Sequence, residues 1–121
     1  MAQHIERKNF DRPDETRTFE RGKVDVVKLD HGTIGRGIFE PGWRWSECVK
    51  PIVQTKSCEV AHFGYVVSGH MKIRMDDGTE TEFGPGDAMD VAPGHDAWIV
   101  GKEACVLVDV TGAEHYAERR T

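Results

Sequence analysis

The stretch from Cys58 to Val100 constrains the fold more than any other part of this sequence. In it, short apolar runs alternate with turn-forming residues, at Ser68-Gly69, Asp77-Gly78, Gly84-Pro85-Gly86 and Pro93-Gly94. Short apolar runs bounded by Gly, Pro and Asp are typical of β-strands joined by tight turns. The same stretch holds three of the six histidines, so we expect the chemistry of the protein here; these are His62, His70 and His95.

The strand pattern continues on both sides of this stretch. It predicts strands over residues 24–29, 33–39, 60–67, 70–75, 79–83 and 104–110, a pair over 87–91 and 96–100, and an extended segment over 43–45. Residues 46–57 contain Pro51 and are interpreted as a loop of the kind that often covers a functional site. About nine strands at this regular spacing predict an all-β barrel or sandwich.

The chain has 121 residues, which fits one domain. Residues 1–22 are strongly polar and are interpreted as an arm that lies across a sheet through Phe10 and Phe19. A short helix beginning near Asp11 is the alternative, because proline suits a first helical turn. We assign residues 23–112 to the barrel domain and residues 113–121 to a charged tail.

Charge and composition narrow the classes of function. The 16 basic and 21 acidic residues are scattered and give a net charge of −5, so we expect no nucleic-acid partner. No apolar run approaches the roughly 20 residues of a membrane span, and the N-terminus does not resemble a secretory signal. The three cysteines, Cys48, Cys58 and Cys105, form no Cys-x-x-Cys pair. This pattern favours reduced thiols in the cytoplasm.

Two motifs resemble those of the cupins. The run Tyr65-Val66-Val67-Ser68-Gly69 is similar to the end of the first cupin motif, and Gly86-Asp87 with Pro93-Gly94 is similar to the second. The runs Pro-Gly-Trp-Arg-Trp-Ser from Pro41 and Pro-Gly-His-Asp-Ala-Trp from Pro93 resemble a bacterial subgroup of single-domain cupins. The resemblance covers roughly residues 38–110. It implies a cupin jelly roll, also called a double-stranded β-helix barrel, in one domain.

The resemblance also implies where a metal ion would be held, and here the sequence departs from the family. Typical metal cupins use two histidines and a glutamate in the first motif and a histidine in the second. These positions carry over to Lys56, Cys58, His62 and Ala97, so the usual set is not retained. Alternation along a strand puts Cys58 and His62 on one face, and His95 has the parity of Ala97. Cys58, His62 and His95 are therefore the candidate ligands for a divalent ion.

Thiolate and imidazole ligands suit zinc, iron or nickel, and manganese is the remaining candidate. Ligation needs neutral imidazole, so binding is expected to weaken as the pH falls through roughly 6.5. Each ligand also has a structural interpretation. His62 can be a hydrogen-bonded core histidine, His95 can brace its turn, and Cys58 can be a small buried filler.

Three further residues are candidates for substrate binding. Trp43 and Trp45 can form an aromatic wall for a flat ligand, and Lys56 can hold an anionic one. The alternatives are packing of the two indoles in a core or dimer face, and an ordinary solvated lysine. Trp98 has the opposite parity to His95, so we expect it to pack between sheets or against the arm.

Two functions follow from these residues. The first is a metal-dependent enzyme, an oxygenase or isomerase, acting on a small organic molecule inside the barrel. The alternative is a non-catalytic ligand-binding or sensory module with a degenerate metal site. The sequence is compatible with both catalysis and binding without catalysis. Open sheet edges and the resemblance to other small cupins predict a homodimer.

Overall fold

The computed structural model describes residues 4–110 together with residues 116 and 117. Nine strands and two short helices lie in this part of the chain. In chain order they are β1 (Glu15–Phe19), β2 (Gly22–Leu29), β3 (Gly32–Phe39), α1 (Trp45–Cys48), α2 (Lys50–Val53), β4 (His62–Ser68), β5 (His70–Met75), β6 (Glu80–Phe83), β7 (Ala88–Val91), β8 (His95–Val100) and β9 (Cys105–Asp109).

The strands form two antiparallel sheets. One has six strands in the order β1-β2-β3-β9-β4-β7, and the other has three in the order β6-β5-β8. Burial alternates along β8 and β9 with a period of two, so His95, Ala97 and Ile99 on β8 face the same interior as Cys105, Leu107 and Asp109 on β9. The core lies between these inner faces.

Strands β7 and β8 lie in different sheets, so their prediction as a pair is wrong. Strand β7 pairs with β4, whereas β8 pairs with β5. The chain changes sheets at Gly69, which has a φ of +76°, between β4 and β5. A Cβ at Gly69 would lie 2.3 Å from the carbonyl oxygen of Ala104, so this turn requires glycine. Strands β5 and β6 then lie in the three-stranded sheet, β7 returns to the six-stranded sheet, and β8 joins the three-stranded one.

The segment before β2 contains a strand that the sequence analysis placed in the arm. Strand β1 pairs with β2, and its Phe19 ring lies 5.8 Å from Phe39 in the core. Residues 11–14 form turns and no helix. Further upstream, the Phe10 ring lies 5.3 Å from the guanidinium carbon of Arg36 on β3. Of the predicted tail, Tyr116 and Ala117 are described and buried, and its other residues lie outside the described part.

The region from Trp43 to residue 57 differs from the prediction of an extended segment followed by a loop. Only Arg44 makes a β-bridge there, to Trp98, and two short helices follow. Pro51 stands in the first turn of α2, where its missing N–H costs no helical hydrogen bond. Among the described residues, no helix is long and apolar enough to cross a membrane.

Candidate functional site

A small cavity lies inside the barrel, between the two sheets. The free space in it, measured for a water-sized molecule, is about 40 Å³. Its walls are mostly apolar, and the glycines Gly35 and Gly37 of β3 contribute no side chain to them. The polar groups of the wall include those of Cys58, His62, His95 and Asp109. This cavity is the candidate site.

Backbone pairing places Cys58 beside His95, although 37 positions separate them (95 − 58). The Cys58 N–H donates to the His95 carbonyl oxygen at 2.8 Å, and the Gly94 N–H donates to the Cys58 carbonyl oxygen at 2.7 Å. Cys58 is 3% exposed and His95 is 2% exposed. The bridge therefore holds the thiol and the start of β8 together in the interior.

His62, the first residue of β4, is held between a thiol and a carboxylate. Its Nδ1 lies 2.5 Å from Oδ2 of Asp109 on β9, and its Nε2 lies 3.7 Å from the Cys58 sulfur. A carboxylate accepts, so Nδ1 carries the proton and donates. Nε2 is thereby directed at the thiol. Asp109 is a site residue that the sequence analysis missed, although its parity with Cys105 and Leu107 puts an acid on a buried face.

His95 is oriented in the same way by a different acceptor. Its Nδ1 lies 2.9 Å from the carbonyl oxygen of Ala92. A carbonyl oxygen can only accept, so this nitrogen donates and Nε2 of the neutral ring keeps its lone pair. The ring centroids of His62 and His95 are 5.2 Å apart. Both imidazoles are thus fixed in orientation before anything binds.

Cys58 and His62 form an ion pair in which the proton is on His62. Burial opposes the charged thiolate, but hydrogen bonds with His62 and His95 lower the pKa of Cys58 to about 6. Burial likewise opposes the imidazolium, but the hydrogen bonds with Asp109 and Cys58 raise the pKa of His62 to about 9. Near neutral pH the pair is therefore a thiolate beside an imidazolium.

The three predicted ligands converge. The sulfur of Cys58 and one nitrogen each of His62 and His95 lie within 4.8 Å of one another. Metal–sulfur and metal–nitrogen bonds of about 2.3 and 2.05 Å at a tetrahedral angle put the two ligand atoms about 3.6 Å apart. The Cys58–His62 separation of 3.7 Å agrees with that value. The residues present therefore fit a single ion with a fourth position left open.

The structure separates the three candidate substrate-binding residues. Trp43 and Trp45 are each 2% exposed and line the cavity. Lys56 is exposed and is not brought to the cavity. Trp98 lies on the face opposite His95, as predicted, and is not among the residues that line the cavity. It is half-buried beneath the guanidinium of Arg44, 4.4 Å from the ring centroid.

Tyr116 is a second residue of the cavity wall that the sequence analysis did not single out. Its ring centroid lies 5.5 Å from that of His62, and the residue is buried. Burial raises the pKa of Tyr116 well above its usual value, so its hydroxyl stays neutral. Its carbonyl oxygen accepts a hydrogen bond of 2.9 Å from Arg17. The sequence offered only its place in a charged segment, which gives no sign of burial.

Comparison with solved structures gives many chains of similar fold. A protein of unknown function from Rhizobium leguminosarum is 20% identical with a TM-score of 0.64, over 90% of this chain and 97% of that one. The polyketide cyclase RemF from Streptomyces resistomycificus is 16% identical with a TM-score of 0.62, over 98% and 83%. A cupin-like protein from Thermotoga maritima is 16% identical with a TM-score of 0.55, over 80% and 73%.

These likenesses and the two antiparallel sheets establish the class of fold. The protein is all-β, with a single-domain cupin jelly roll, or double-stranded β-helix. This confirms the predicted fold class. No protein-family model and no curated protein sequence matches the chain. At these identities the likeness concerns the fold alone, and function has to be argued from the site.

Proposed function

We propose that this protein is a small-molecule-binding cupin that holds a divalent metal ion on Cys58, His62 and His95. The observation that carries the proposal is the convergence of these three ligand atoms within 4.8 Å inside the barrel. Cys58 and His62 are four positions apart, whereas His95 comes from a distant part of the chain and meets them through the β-bridge between Cys58 and His95. Three protein ligands would leave a fourth position on a tetrahedral ion for water or a small molecule.

The donor set points to zinc, ferrous iron or nickel rather than manganese. A thiolate with two imidazoles suits ions of intermediate softness, whereas manganese prefers carboxylate and carbonyl oxygens. The nearby carboxylate of Asp109 accepts a hydrogen bond from His62 Nδ1 and so holds the His62 ring with Nε2 free to bind the ion. Such carboxylate–histidine pairs fix the ring and raise its basicity toward a metal.

The ion, when bound, supplies Lewis acidity to whatever occupies its open position. The residues of the chain do the rest. Asp109 and the Ala92 carbonyl hold the two imidazole rings in the required tautomers. The apolar wall keeps water scarce around the ligand, which strengthens polar contacts there. Oxidation or isomerisation of a small molecule is the reaction class that this arrangement would serve.

The cavity size favours a second candidate, binding without turnover in a sensory module. A cavity of about 40 Å³ is far below the roughly 150 Å³ that accommodates benzene. An organic substrate would need the barrel to open, whereas a ligand of a few atoms would not. Consumption of a small organic substrate by purified protein, lost in His62→Ala, would decide for the enzyme.

Metal binding by untagged protein tests the proposal. Calorimetric titration with zinc should give one site per chain, and Cys58→Ala, His62→Ala and His95→Ala should each remove most of the affinity. Cys105→Ala removes another buried cysteine and His31→Ala an exposed histidine, so these variants should bind zinc like the wild type. The proposal fails if the wild type binds no zinc, iron or nickel, or if the controls lose as much affinity as the ligand variants.

A double variant separates one shared site from two structural histidines. If His62 and His95 hold one ion, the double variant should lose little more affinity than either single variant. Two independent structural histidines would instead lower stability additively and leave metal content unchanged.

A further inference from the structure

Cys58 has less backbone support than the two histidines of the proposed site. His62 and His95 are the first residues of β4 and β8, whereas Cys58 lies outside the named strands. Its backbone hydrogen bonds run to His95 and Gly94, at the start of β8. The position of its sulfur therefore depends on what else holds the chain at residues 57–58.

A side-chain hydrogen bond ties this part of the chain to the end of β5. The Ser57 hydroxyl donates to Oδ2 of Asp76 at 3.0 Å, across 19 positions of sequence. The carbonyl oxygen of Ser57 accepts from the Thr55 hydroxyl at 2.7 Å. Because Ser57 directly precedes Cys58, its bond to Asp76 restrains the backbone on the N-terminal side of the thiol.

Asp76 is itself fixed beside the turn that leads to His95. Its N–H donates to the carbonyl oxygen of Gly94 at 2.9 Å. The preceding residue, Met75, is the register partner of His95 in the β5–β8 pair. A Cβ at Gly94 would lie 3.0 Å from Oδ2 of Asp76, so glycine leaves room for the carboxylate there. Asp76 therefore contacts both the chain that carries Cys58 and the turn before His95.

We propose that Asp76 is a positioning residue that holds the Cys58 sulfur where it can share one metal ion with His62 and His95. It acts on Cys58 through Ser57 rather than as a ligand, and the inference rests on the proposed metal site. Ligand atoms have to be held within about 0.5 Å of the productive geometry. The Asp76 carboxylate is exposed, so we expect its loss to have the effect of one ordinary hydrogen bond.

Alkylation of Cys58 by iodoacetamide in metal-free protein tests this hold without any metal. Cys58 is 3% exposed, so the reagent reaches the thiol only when this part of the chain opens. Asp76→Ala should raise the rate about fivefold, which corresponds to one hydrogen bond. Peptide mass spectrometry measures the buried Cys48 and Cys105 in the same sample, and their rates should not change.

Zinc and cobalt binding test the effect on the site. Asp76→Ala should weaken zinc binding about fivefold in competition with a chelator. It should also weaken the sulfur-to-cobalt charge-transfer absorption of cobalt-saturated protein, which a role confined to the stability of the fold would not change. Asp76→Asn keeps an oxygen that accepts from Ser57, so it should restore both the affinity and the absorption.

Asp77→Ala is the matched control, because Asp77 lies in the same turn and accepts from the Thr79 N–H at 2.9 Å. It should change neither alkylation nor zinc affinity. Ser57→Ala removes the other partner and gives the same test if Asp76→Ala does not fold. The double variant of Ser57 and Asp76 should lose no more affinity than either single variant.

The inference is overturned if Asp76→Ala behaves like the wild type, if Asp77→Ala behaves like Asp76→Ala, or if the effects of Ser57→Ala and Asp76→Ala add. Failure of the metal site is distinguishable from these results. A wild type that binds neither zinc nor cobalt would overturn the proposed function. The alkylation rates would then still support or overturn the hold of Asp76 on the chain at Cys58.

Discussion

Lowering the pH from 9 to 7 should weaken zinc binding about 50-fold. In the metal-free protein the pKa of His62 is raised to about 9 and that of Cys58 is lowered to about 6. Between these values the pair keeps one proton, on the His62 Nε2 that a metal ion requires. At pH 9 about half of the His62 imidazole is already deprotonated, so the first pH unit lowers the affinity about fivefold and the second about ninefold, in total about 2.3 kcal/mol. Below about pH 6 the thiolate is protonated too, and the loss becomes steeper.

Competition with a chelator of known affinity, at constant ionic strength from pH 6 to 9, measures this dependence. Asp109→Asn is the control, because it removes the carboxylate contact that raises the pKa of His62. The steep region should move to lower pH in that variant. An affinity that is flat from pH 7 to 9 and falls only near 6.5 would refute the reasoning, since that is the behaviour of an unperturbed imidazole and the one expected from sequence.

Three further predictions concern the same pair and the outer surface. At pH 9, Asp109→Asn should weaken zinc binding 10–100-fold in the same chelator assay, and unchanged affinity there would show that the carboxylate does not support the ligand. Without metal, the raised pKa of His62 gives a stabilisation that is complete below pH 6.5 and disappears as the pH rises through about 9. The lowered pKa of Cys58 gives a stabilisation that is complete above pH 9.0 and disappears as the pH falls through about 6. The two contributions cancel between pH 6.5 and 9, so denaturation with a chelator present should give a free energy of unfolding of the wild type that does not change over this range. The free energy of unfolding of Cys58→Ala should fall by up to about 3 kcal/mol as the pH rises from 6.5 to 9. The same pH dependence in both proteins would contradict the ion pair. Finally, Phe63 and Tyr65 on the outer face of β4 are 54% and 48% exposed, and exposed apolar side chains of this kind favour an interface between two copies of the chain. We expect light scattering to give a homodimer of twice 13.6 kDa and Phe63→Glu to give a monomer, whereas a monomeric wild type would contradict this.

The fold was predictable because its signals are local. Turn residues such as Asp77-Gly78 sit where β5 and β6 meet, and alternation along β8 placed His95 and Ala97 on the buried face with Trp98 opposite. The same alternation put Cys58 and His62 on one side. Parity fixes the face of a side chain, and in a barrel that decides which residues can meet.

The parts that were missed depend on contacts distant in sequence. Asp109 meets His62 because β9 lies beside β4, 47 positions further along the chain. Strand β1 is short and polar, and only its pairing with β2 makes it a strand. Lys56 is a ligand position by family resemblance, yet it is exposed in the folded chain. Neither propensity nor spacing reports such tertiary contacts.

X-ray absorption at the zinc edge of zinc-loaded protein tests the central claim most directly. One Cys58 sulfur at about 2.3 Å and nitrogens of His62 and His95 at about 2.0–2.1 Å should form the first coordination shell. Cys58→Ala should remove the sulfur scatterer, whereas Cys105→Ala should leave the spectrum unchanged. A shell of nitrogen and oxygen alone in the wild type, or a sulfur that persists in Cys58→Ala, would contradict the proposed site.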